Sequence, residues 1–390
     1  FVFVILSCMF FSCTEQNAKA DYYVKGVSNP VIILNGIWEI NTSPSGEFWK
    51  MDTDGAELKD IKVPGECMMQ GIPIKHDEPF VYKKRIKIPA DFHDKEIVLQ
   101  FDGVYSYARV WVNGTYVRDH SGGFTRWDCL ITPFVTPGKE ATIIVEVTDR
   151  VDDISYGSGY AKHQIGGILR DVRLLALPPN HIDQLNIITD LDENYENAML
   201  KISGSINNIV ENAQIKLELK NKDDELIPLS KSLIELNNSA LFKVENLVVS
   251  PEKWDAEHPN LYTLKISYFE NDRLLFEKIK RVGFREVEVQ GNKLLVNGME
   301  VKLRGACRHD IHPLLGRVST PDYELMDVQL AKEANMNFIR TSHYPPTENF
   351  LRLCDEYGLY VESETAVCFV GSHRTKDYQP GASESDPEFT

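Results

Sequence analysis

The sequence has few cysteines, no close pairs among them, and no surplus of positive charge. Seven cysteines are spread over 390 residues, and no two have a Cys-x-x-Cys spacing. This excludes a disulfide scaffold and a structural zinc site as the basis of the fold. With 58 acidic against 42 basic residues the formal net charge is -16, so nucleic acid is not expected as a partner. No Gly-rich phosphate loop follows a predicted strand, which argues against an oxidoreductase.

Only the start of the chain is a long apolar run. Residues 1–11 carry no charge, and the first charged residue is Glu15. Such a run is too short to span a bilayer but fits the apolar part of an export signal. We expect residues 1–20 to be an export signal of the lipoprotein type that begins inside the signal, with Cys13, or alternatively Cys8, lipidated. A plain secretory signal is the alternative. The predicted location is the periplasm or cell surface of a bacterium, with membrane attachment through the lipid anchor.

Residues 21–179 are predicted to form an antiparallel β-sandwich of jelly-roll type. Apolar and polar residues alternate over short runs such as 97–101, 108–112 and 141–147, and the second of these ends in the turn pair Asn113-Gly114. Almost nothing in this region has a helical period, which favours an all-β architecture.

Residues 180–285 are predicted to form a second, immunoglobulin-like β-sandwich. The pair Pro178-Pro179 precedes it, and the runs 199–204, 213–219 and 262–268 again alternate. The cysteine pair of antibody domains is absent, so the prediction concerns the architecture only.

Residues 286–390 are predicted to begin a parallel α/β domain, the first part of a (β/α)₈ TIM barrel. Strands are expected near 301, 337 and 359. A first helix is expected after Thr320, with Pro321 at its first position and with Tyr323, Met326, Leu330 and Ala334 at helical spacing. A second helix is expected from Thr347 to Gly358, with Phe350, Cys354 and Tyr357 on one face. Because a barrel needs about 250 residues, we expect the sequence to be truncated.

Polar residues follow each of these three strands. The runs are 308–313 (Arg-His-Asp-Ile-His-Pro), 340–345 (Arg-Thr-Ser-His-Tyr-Pro) and 362–364 (Glu-Ser-Glu). In a parallel βα array the ligand site lies at the carboxyl ends of the strands, so these residues are expected to share one rim. The rim is the main indication of function in the sequence.

Seven motifs in order resemble those of one family. They are Leu34-Asn35-Gly36-Ile37-Trp38, Val110-Trp111-Val112-Asn113-Gly114, Gly166-Gly167-Ile168-Leu169-Arg170-Asp171-Val172, Val282-Gly283-Phe284-Arg285, Leu295-Val296-Asn297-Gly298, Arg308-His309 through His312-Pro313, and Arg340-Thr341-Ser342-His343-Tyr344-Pro345. Together they resemble glycoside hydrolase family 2, the β-galactosidase and β-glucuronidase group. The resemblance implies a jelly-roll sugar-binding domain, an immunoglobulin-like sandwich and a TIM barrel, in the order predicted above.

The resemblance also implies a reaction, the retaining, exo-acting hydrolysis of a terminal β-linked sugar from an oligo- or polysaccharide. Two carboxyl groups about 5 to 5.5 Å apart share this work in retaining enzymes. In the family both are glutamates on later barrel strands, and the acid/base belongs to an Asn-Glu pair that does not follow the third strand here. Both are expected after residue 390, so the chain by itself should be inactive. The expected sugar is galactose, with glucuronic acid or another sugar of the family as the alternative.

By the same resemblance, the residues of the rim support the reaction. His309 and His343 would bind hydroxyls of the sugar, because an imidazole can donate or accept a hydrogen bond. Arg340 would orient the nucleophile and keep it ionised. His312, Glu362 and Glu364 are further candidates for the pocket, and Arg308 and Asp355 are expected to be structural.

The sequence departs from well-known β-galactosidases at two places. Cys368 and Val370 stand where those enzymes have a Glu and a His that bind magnesium, and neither suits a hard ion that prefers oxygen ligands. No metal or other cofactor is therefore expected. Lys162 lies where an Asp-x-Trp segment reaches the sugar, which suggests a pocket altered towards an acidic sugar.

A secreted, non-catalytic carbohydrate-binding protein is the alternative from another class. Trp38, Trp111 and Trp127 would then stack on sugar rings, although burial is the commoner fate of tryptophan in a sandwich. The βαβαβ region with its polar strand ends argues for the enzyme, since a binding module does not need it.

Overall fold

The computed structural model describes residues 22–44, 46–50, 58–150, 164–208, 210–237 and 239–366. The predicted signal with Cys8 and Cys13, and the residues Lys162, Cys368 and Val370, lie outside these ranges. No helix within them is long and apolar enough to cross a membrane.

The first β-sandwich is built from two main sheets. After strand β1 (Tyr22–Val24), its strands are β2 (Val31–Ile33), β3 (Gly36–Asn41), β4 (Lys59–Val63), β5 (Pro79–Lys87), β6 (Glu96–Phe101), β7 (Val104–Tyr105), β8 (Tyr107–Val112), β9 (Thr115–Ser121), β10 (Trp127–Leu130), β11 (Glu140–Thr148), β12 (Gly167–Ile168) and β13 (Val172–Leu177). One sheet has the order β4-β3-β5-β11-β8-β9, the other β10-β6-β13-β2, and β12 pairs with β7. Short 3₁₀ turns lie at Phe48–Lys50, Met68–Gln70, Ala90–Phe92 and Thr132–Phe134.

Alternating side chains make the core between these sheets. On β8, Ala108, Val110 and Val112 are buried in one cluster with inward residues of the opposite sheet. The turn after β8 has Asn113 and Gly114 at φ 49° and 79°, which is the backbone that this pair favours. The predicted strands and hairpin are thus confirmed.

The tryptophans required by the non-catalytic alternative are buried. Trp38 is 1% exposed, and Trp111 and Trp127 are each 5% exposed. Trp38 and Trp127 belong to the core, while Trp111 lies under Trp49, with ring centroids 5.5 Å apart. None of the three offers a free face to a sugar, so this expectation of the alternative is wrong.

The second β-sandwich contains the immunoglobulin-like strands. They are β14 (Ile182–Leu191), β15 (Ala198–Ile206), β16 (Ala213–Lys220), β17 (Leu226–Ile227), β18 (Leu233–Glu235), β19 (Leu241–Val248), β20 (Tyr262–Glu270) and β21 (Arg273–Val282). One sheet has the order β14-β15-β19, and the other β1-β21-β20-β16-β17 with β18 also on β16.

Strand β1 corrects the sequence prediction. It lies in the range predicted for the jelly roll, yet Tyr22, Tyr23 and Val24 pair with Lys278, Glu277 and Phe276 of β21. Val24 is buried in the second core, and the Tyr22 ring stacks on Phe276. Burial against the second sandwich therefore decides where this strand belongs.

The third region starts with an antiparallel meander and continues as a parallel βαβαβ unit. The meander is β22 (Val287–Gln290), β23 (Lys293–Val296) and β24 (Met299–Glu300), and the unit is β25 (Gly305–Arg308), α1 (Pro321–Glu333), β26 (Phe338–Thr341), α2 (Glu348–Tyr357) and β27 (Tyr360–Ser363). The strand predicted near 301 is thus displaced, because the meander ends there and the first parallel strand begins at Gly305. The other two strands and both helices lie where they were predicted.

Helix α2 has the predicted caps and the predicted buried face. The hydroxyl of Thr347 accepts the Phe350 N–H at 3.1 Å, and Gly358 ends the helix at φ 79°. Phe350 and Cys354 are buried.

The predicted face of α1 is wrong. Met326 and Leu330 are 42% and 54% exposed, whereas Val328, Ala331 and Glu324 are buried. Glu324 tolerates burial because its carboxylate accepts hydrogen bonds from Thr347 and Asn349.

Candidate active site

The register of the three parallel strands sets the direction of the polar side chains. Cys307, Arg340 and Glu362 lie opposite one another on β25, β26 and β27. Arg308 points the other way, onto the helices, where its guanidinium lies 4.2 Å from the Phe350 ring centroid and donates to Asp327 at 2.8 Å. Because side chains alternate along a strand, Cys307, Arg340 and Glu362 share the face away from the helices. Arg308 is structural, as predicted.

The predicted rim residues meet at the carboxyl ends of these strands. The rings of His309 and His343 lie 5.2 Å apart with their planes at 69°. Glu364 places one carboxylate oxygen 3.2 Å from Nδ1 of His343 and pairs through the other with Arg340. Nε of Arg340 also lies 3.5 Å from Glu362. Four residues from three strand ends, His309, Arg340, His343 and Glu364, thus form one cluster, which we call the rim cluster.

The electrostatics of the rim cluster keep the imidazole of His309 neutral. Burial lowers the pKa of His309 below its ordinary value, and the nearby His343 and Arg317 lower it further. A neutral imidazole can donate from one nitrogen and accept at the other, which suits a sugar hydroxyl. The hydrogen bond to Glu364 raises the pKa of Arg340, so this side chain remains a cation that can hold a further carboxylate.

His312 does not join the rim cluster. Its Nδ1 accepts the N–H groups of Leu314 and Leu315 at 3.0 and 3.2 Å, and its ring lies 4.0 Å from that of Tyr323 on α1. These contacts hold the loop after β25 closed. Of the two roles open to His312 in the sequence, they favour the structural one.

Several residues beside the rim cluster received no role from the sequence. Tyr344 is buried and stacks on Phe124 of the first sandwich, with centroids 3.8 Å apart and planes at 7°. Arg170 pairs with Asp310 at 3.0 Å, and the buried Glu66 accepts the N–H of Arg317 at 2.8 Å. Arg170 belongs to a family motif, which was the one available signal. The partners are more than a hundred residues apart, so no local pattern indicates the contact.

No metal centre is found in the part of the chain that the structure describes. Within those ranges, no group of three or more His, Cys, Asp or Glu side chains could hold an ion. Glu364 is engaged with Arg340 and His343 instead. The magnesium expectation rests on Cys368 and Val370, so it stays a prediction.

Three models of one family match the chain. The sugar binding domain of glycosyl hydrolases family 2 matches residues 34–178, the middle domain of the family matches 180–285, and its TIM barrel domain matches 287–388.

Individual relatives carry names from the same family. The chain is 30% identical to a β-galactosidase of Lactobacillus delbrueckii subsp. bulgaricus, over 94% of this chain and 38% of the relative. It is 32% identical to a β-galactosidase of Priestia megaterium, over 91% of this chain and 37% of the relative. A solved structure of β-glucuronidase 2 from Bacteroides uniformis has a TM-score of 0.77 and 26% identity, over 86% of this chain and 42% of that one.

The chain therefore spans well under half the length of the relatives it matches. The three family models nevertheless follow one another with almost no gap from residue 34 to residue 388. Their order is that of the two sandwiches and the parallel unit described above. The chain belongs to glycoside hydrolase family 2.

Proposed function

We propose that the protein to which this chain belongs is a retaining, exo-acting β-glycosidase, with β-galactosidase as its main activity. The observation that carries the proposal is the rim cluster, at the carboxyl ends of three consecutive parallel strands. This is the edge at which (β/α)₈ enzymes bind substrate. The names of the two β-galactosidase relatives support the choice of sugar.

Each member of the rim cluster has a task in this proposal. His309 and His343 hold hydroxyls of the terminal sugar. Arg340 orients the nucleophilic carboxylate, because a guanidinium has five donors and Glu362 and Glu364 do not use them all. Glu364 fixes both Arg340 and His343 and is not itself the nucleophile. The acid/base and the nucleophile are proposed to be glutamates of later barrel strands, about 5 to 5.5 Å apart.

The test is hydrolysis of 4-nitrophenyl β-glycosides by the protein as its gene encodes it. We expect the β-galactoside to be cleaved fastest, with retention of the anomeric configuration in the first-formed product. Arg340→Lys should lower kcat/KM by about a hundredfold, since loss of oriented electrostatic support has that effect. Arg352→Lys is the matched control, because this arginine pairs with Glu356 on the exposed side of α2. Failure to cleave any glycoside of the panel would refute the proposal.

β-Glucuronidase is the second candidate. The likeness to the β-glucuronidase from Bacteroides uniformis favours it, and we propose that Lys162 would then meet the sugar carboxylate. A faster reaction with the β-glucuronide, reversed by Lys162→Ala, is the expected result for this candidate. An unchanged substrate ranking in Lys162→Ala would exclude the role of the lysine.

We also propose that the protein works without magnesium and outside the cytoplasm. Cys368 and Val370 offer no hard oxygen ligands, so EDTA should leave activity unchanged. The apolar start of the chain supports export with lipidation at Cys13 or Cys8. Metabolic labelling with a fatty acid should be lost in one of Cys13→Ser and Cys8→Ser and kept in the other. Labelling of both variants would contradict the anchor.

A further inference from the structure

We infer that Arg170, a residue of the first sandwich, is a positioning residue for the His309–His343 pair. The inference rests on the proposed function for its effect on catalysis, and it assigns a task to a residue that lies outside the parallel unit. Arg170 is placed between the two loops that follow β25 and β26, and it bonds to both of them.

The guanidinium of Arg170 makes three hydrogen bonds, each to a different segment. Nη2 donates to Oδ2 of Asp310 at 3.0 Å and to the carbonyl of Pro345 at 2.6 Å. Nη1 donates to the carbonyl of Phe124 at 2.8 Å. Asp310 directly follows His309, and Pro345 lies two residues after His343. One side chain therefore fixes the backbone beside both histidines.

Burial makes these bonds consequential. The side chains of Arg170 and Asp310 are 7% and 5% exposed, so water cannot replace a lost partner. The other oxygen of Asp310 pairs with Arg308, which in turn pairs with Asp327. Two cations and two anions thus alternate in one chain, and the charge of Arg170 is balanced only through the loop that carries His309.

A stacked pair of rings gives the second half of the contact. Phe124 lies 3.8 Å from Tyr344, which directly follows His343, and the guanidinium of Arg170 lies 5.5 Å from the centroid of Phe124. The Tyr344 hydroxyl reaches back to the carbonyl of Asp310 at 3.4 Å. The two loops are therefore bound to each other and to the first sandwich at one place.

This arrangement predicts an effect on the histidines in particular. If Arg170 only held the sandwich to the parallel unit, any contact between them would serve as well. Arg126 offers that comparison, because it joins Asp102 of the sandwich to Glu348 at the start of α2, and neither is a neighbour of His309 or His343. Arg173 offers a second comparison, since its two carboxylate partners both belong to the sandwich.

The experiment compares Arg170→Lys with Arg126→Ala and Arg173→Lys in the protein as its gene encodes it. Lysine keeps the charge but cannot reach three acceptors in different directions. We expect Arg170→Lys to lower kcat/KM for the best nitrophenyl glycoside by about a hundredfold, the cost of a displacement on the order of 1 Å. KM should rise together with the fall in kcat, because the hydroxyl contacts exist in both the ground and the transition state. The two controls should stay within about twofold of wild type.

Hydrogen exchange measured by mass spectrometry gives a readout that does not need activity. In Arg170→Lys, peptides covering 309–313 and 342–346 should both exchange faster, while in Arg173→Lys neither should change. Normal exchange in both peptides together with unchanged kcat/KM would overturn the inference. Faster exchange in a protein whose wild type cleaves no glycoside would refute the proposed function but leave the positioning of the two loops established.

A second variant covers the case in which Arg170→Lys does not fold. Phe124→Leu removes the ring that stacks on Tyr344 without leaving a buried charge unpaired. We expect it to raise exchange in the 342–346 peptide more than in the 309–313 peptide and to lower kcat/KM by about tenfold. Wild-type kinetics with wild-type exchange in this variant would also overturn the inference.

Discussion

The contact between Gly316 and Glu66 gives a prediction whose size follows from the structure. Gly316 has φ +75°, and a Cβ built on it would lie 2.0 Å from Oε2 of Glu66. Glu66 is 2% exposed and accepts the N–H of Arg317, so it cannot simply turn into solvent. Gly316→Ala must therefore displace a buried carboxylate from its donor.

Two costs add up in this substitution. An alanine at left-handed φ costs about 1 kcal/mol, and losing a hydrogen bond to a charged, buried group costs about 2 kcal/mol. We expect the free energy of unfolding to fall by about 3 kcal/mol in total. Gly71→Ala is the matched control, because Gly71 has φ +72° and no atom within 4 Å of its built Cβ. It should cost only the first term.

Urea unfolding followed by tryptophan fluorescence measures both variants. A Glu66→Ala background completes the test, since there the second cost is already absent and Gly316→Ala should destabilise no more than Gly71→Ala does. Equal losses for Gly316→Ala and Gly71→Ala in the wild-type background would refute the reasoning. The same result would mean that the sandwich and the loop after β25 are not tightly joined at Glu66.

Three further predictions concern single residues. Because the pKa of His309 is lowered in the folded state, the unfolded chain binds more protons below about pH 6.5, and stability should fall with decreasing pH; His309→Gln should reduce the loss of the urea midpoint between pH 7.5 and 5.5, and an unchanged loss would contradict the shift. Burial raises the pKa of Cys67, Cys129 and Cys354 to about 12, so the exposed Cys307 should react with iodoacetamide first among these four, as peptide mapping would show, and earlier labelling of a buried thiol would argue against the packing. Thr347→Ala removes the cap of α2 and should cost about 1 kcal/mol in the urea unfolding free energy, whereas Thr347→Ser should cost much less.

Local patterns were sufficient for much of the fold. The hairpin at Asn113-Gly114 and the helix from Thr347 to Gly358 depend on residues next to one another in sequence, and both were predicted. The face of α1 was not predicted, because Glu324 is buried by partners on another helix. Strand β1 was assigned to the wrong sandwich for a related reason, since its pairing partner lies some 250 residues later.

The rim cluster shows the same division. His309, Arg340, His343 and Glu364 could be placed together because parallel strands bring their carboxyl ends to one edge. The sequence left the role of His312 open, and only the bonds to the amides of Leu314 and Leu315 show that it closes a loop. The contacts of Arg170 come from another domain, where no spacing rule applies.

The pairing of β1 with β21 has a mechanical consequence. The chain starts in the second sandwich, crosses to the first between Val24 and Val31, and returns through Pro178 and Pro179. The first sandwich is therefore an insertion held by two linkers at once. A body on one linker can swing in any direction, whereas a body on two can bend only about the line that joins them. The faces that carry Arg170 and Phe124 thus have one direction in which to leave the histidine loops.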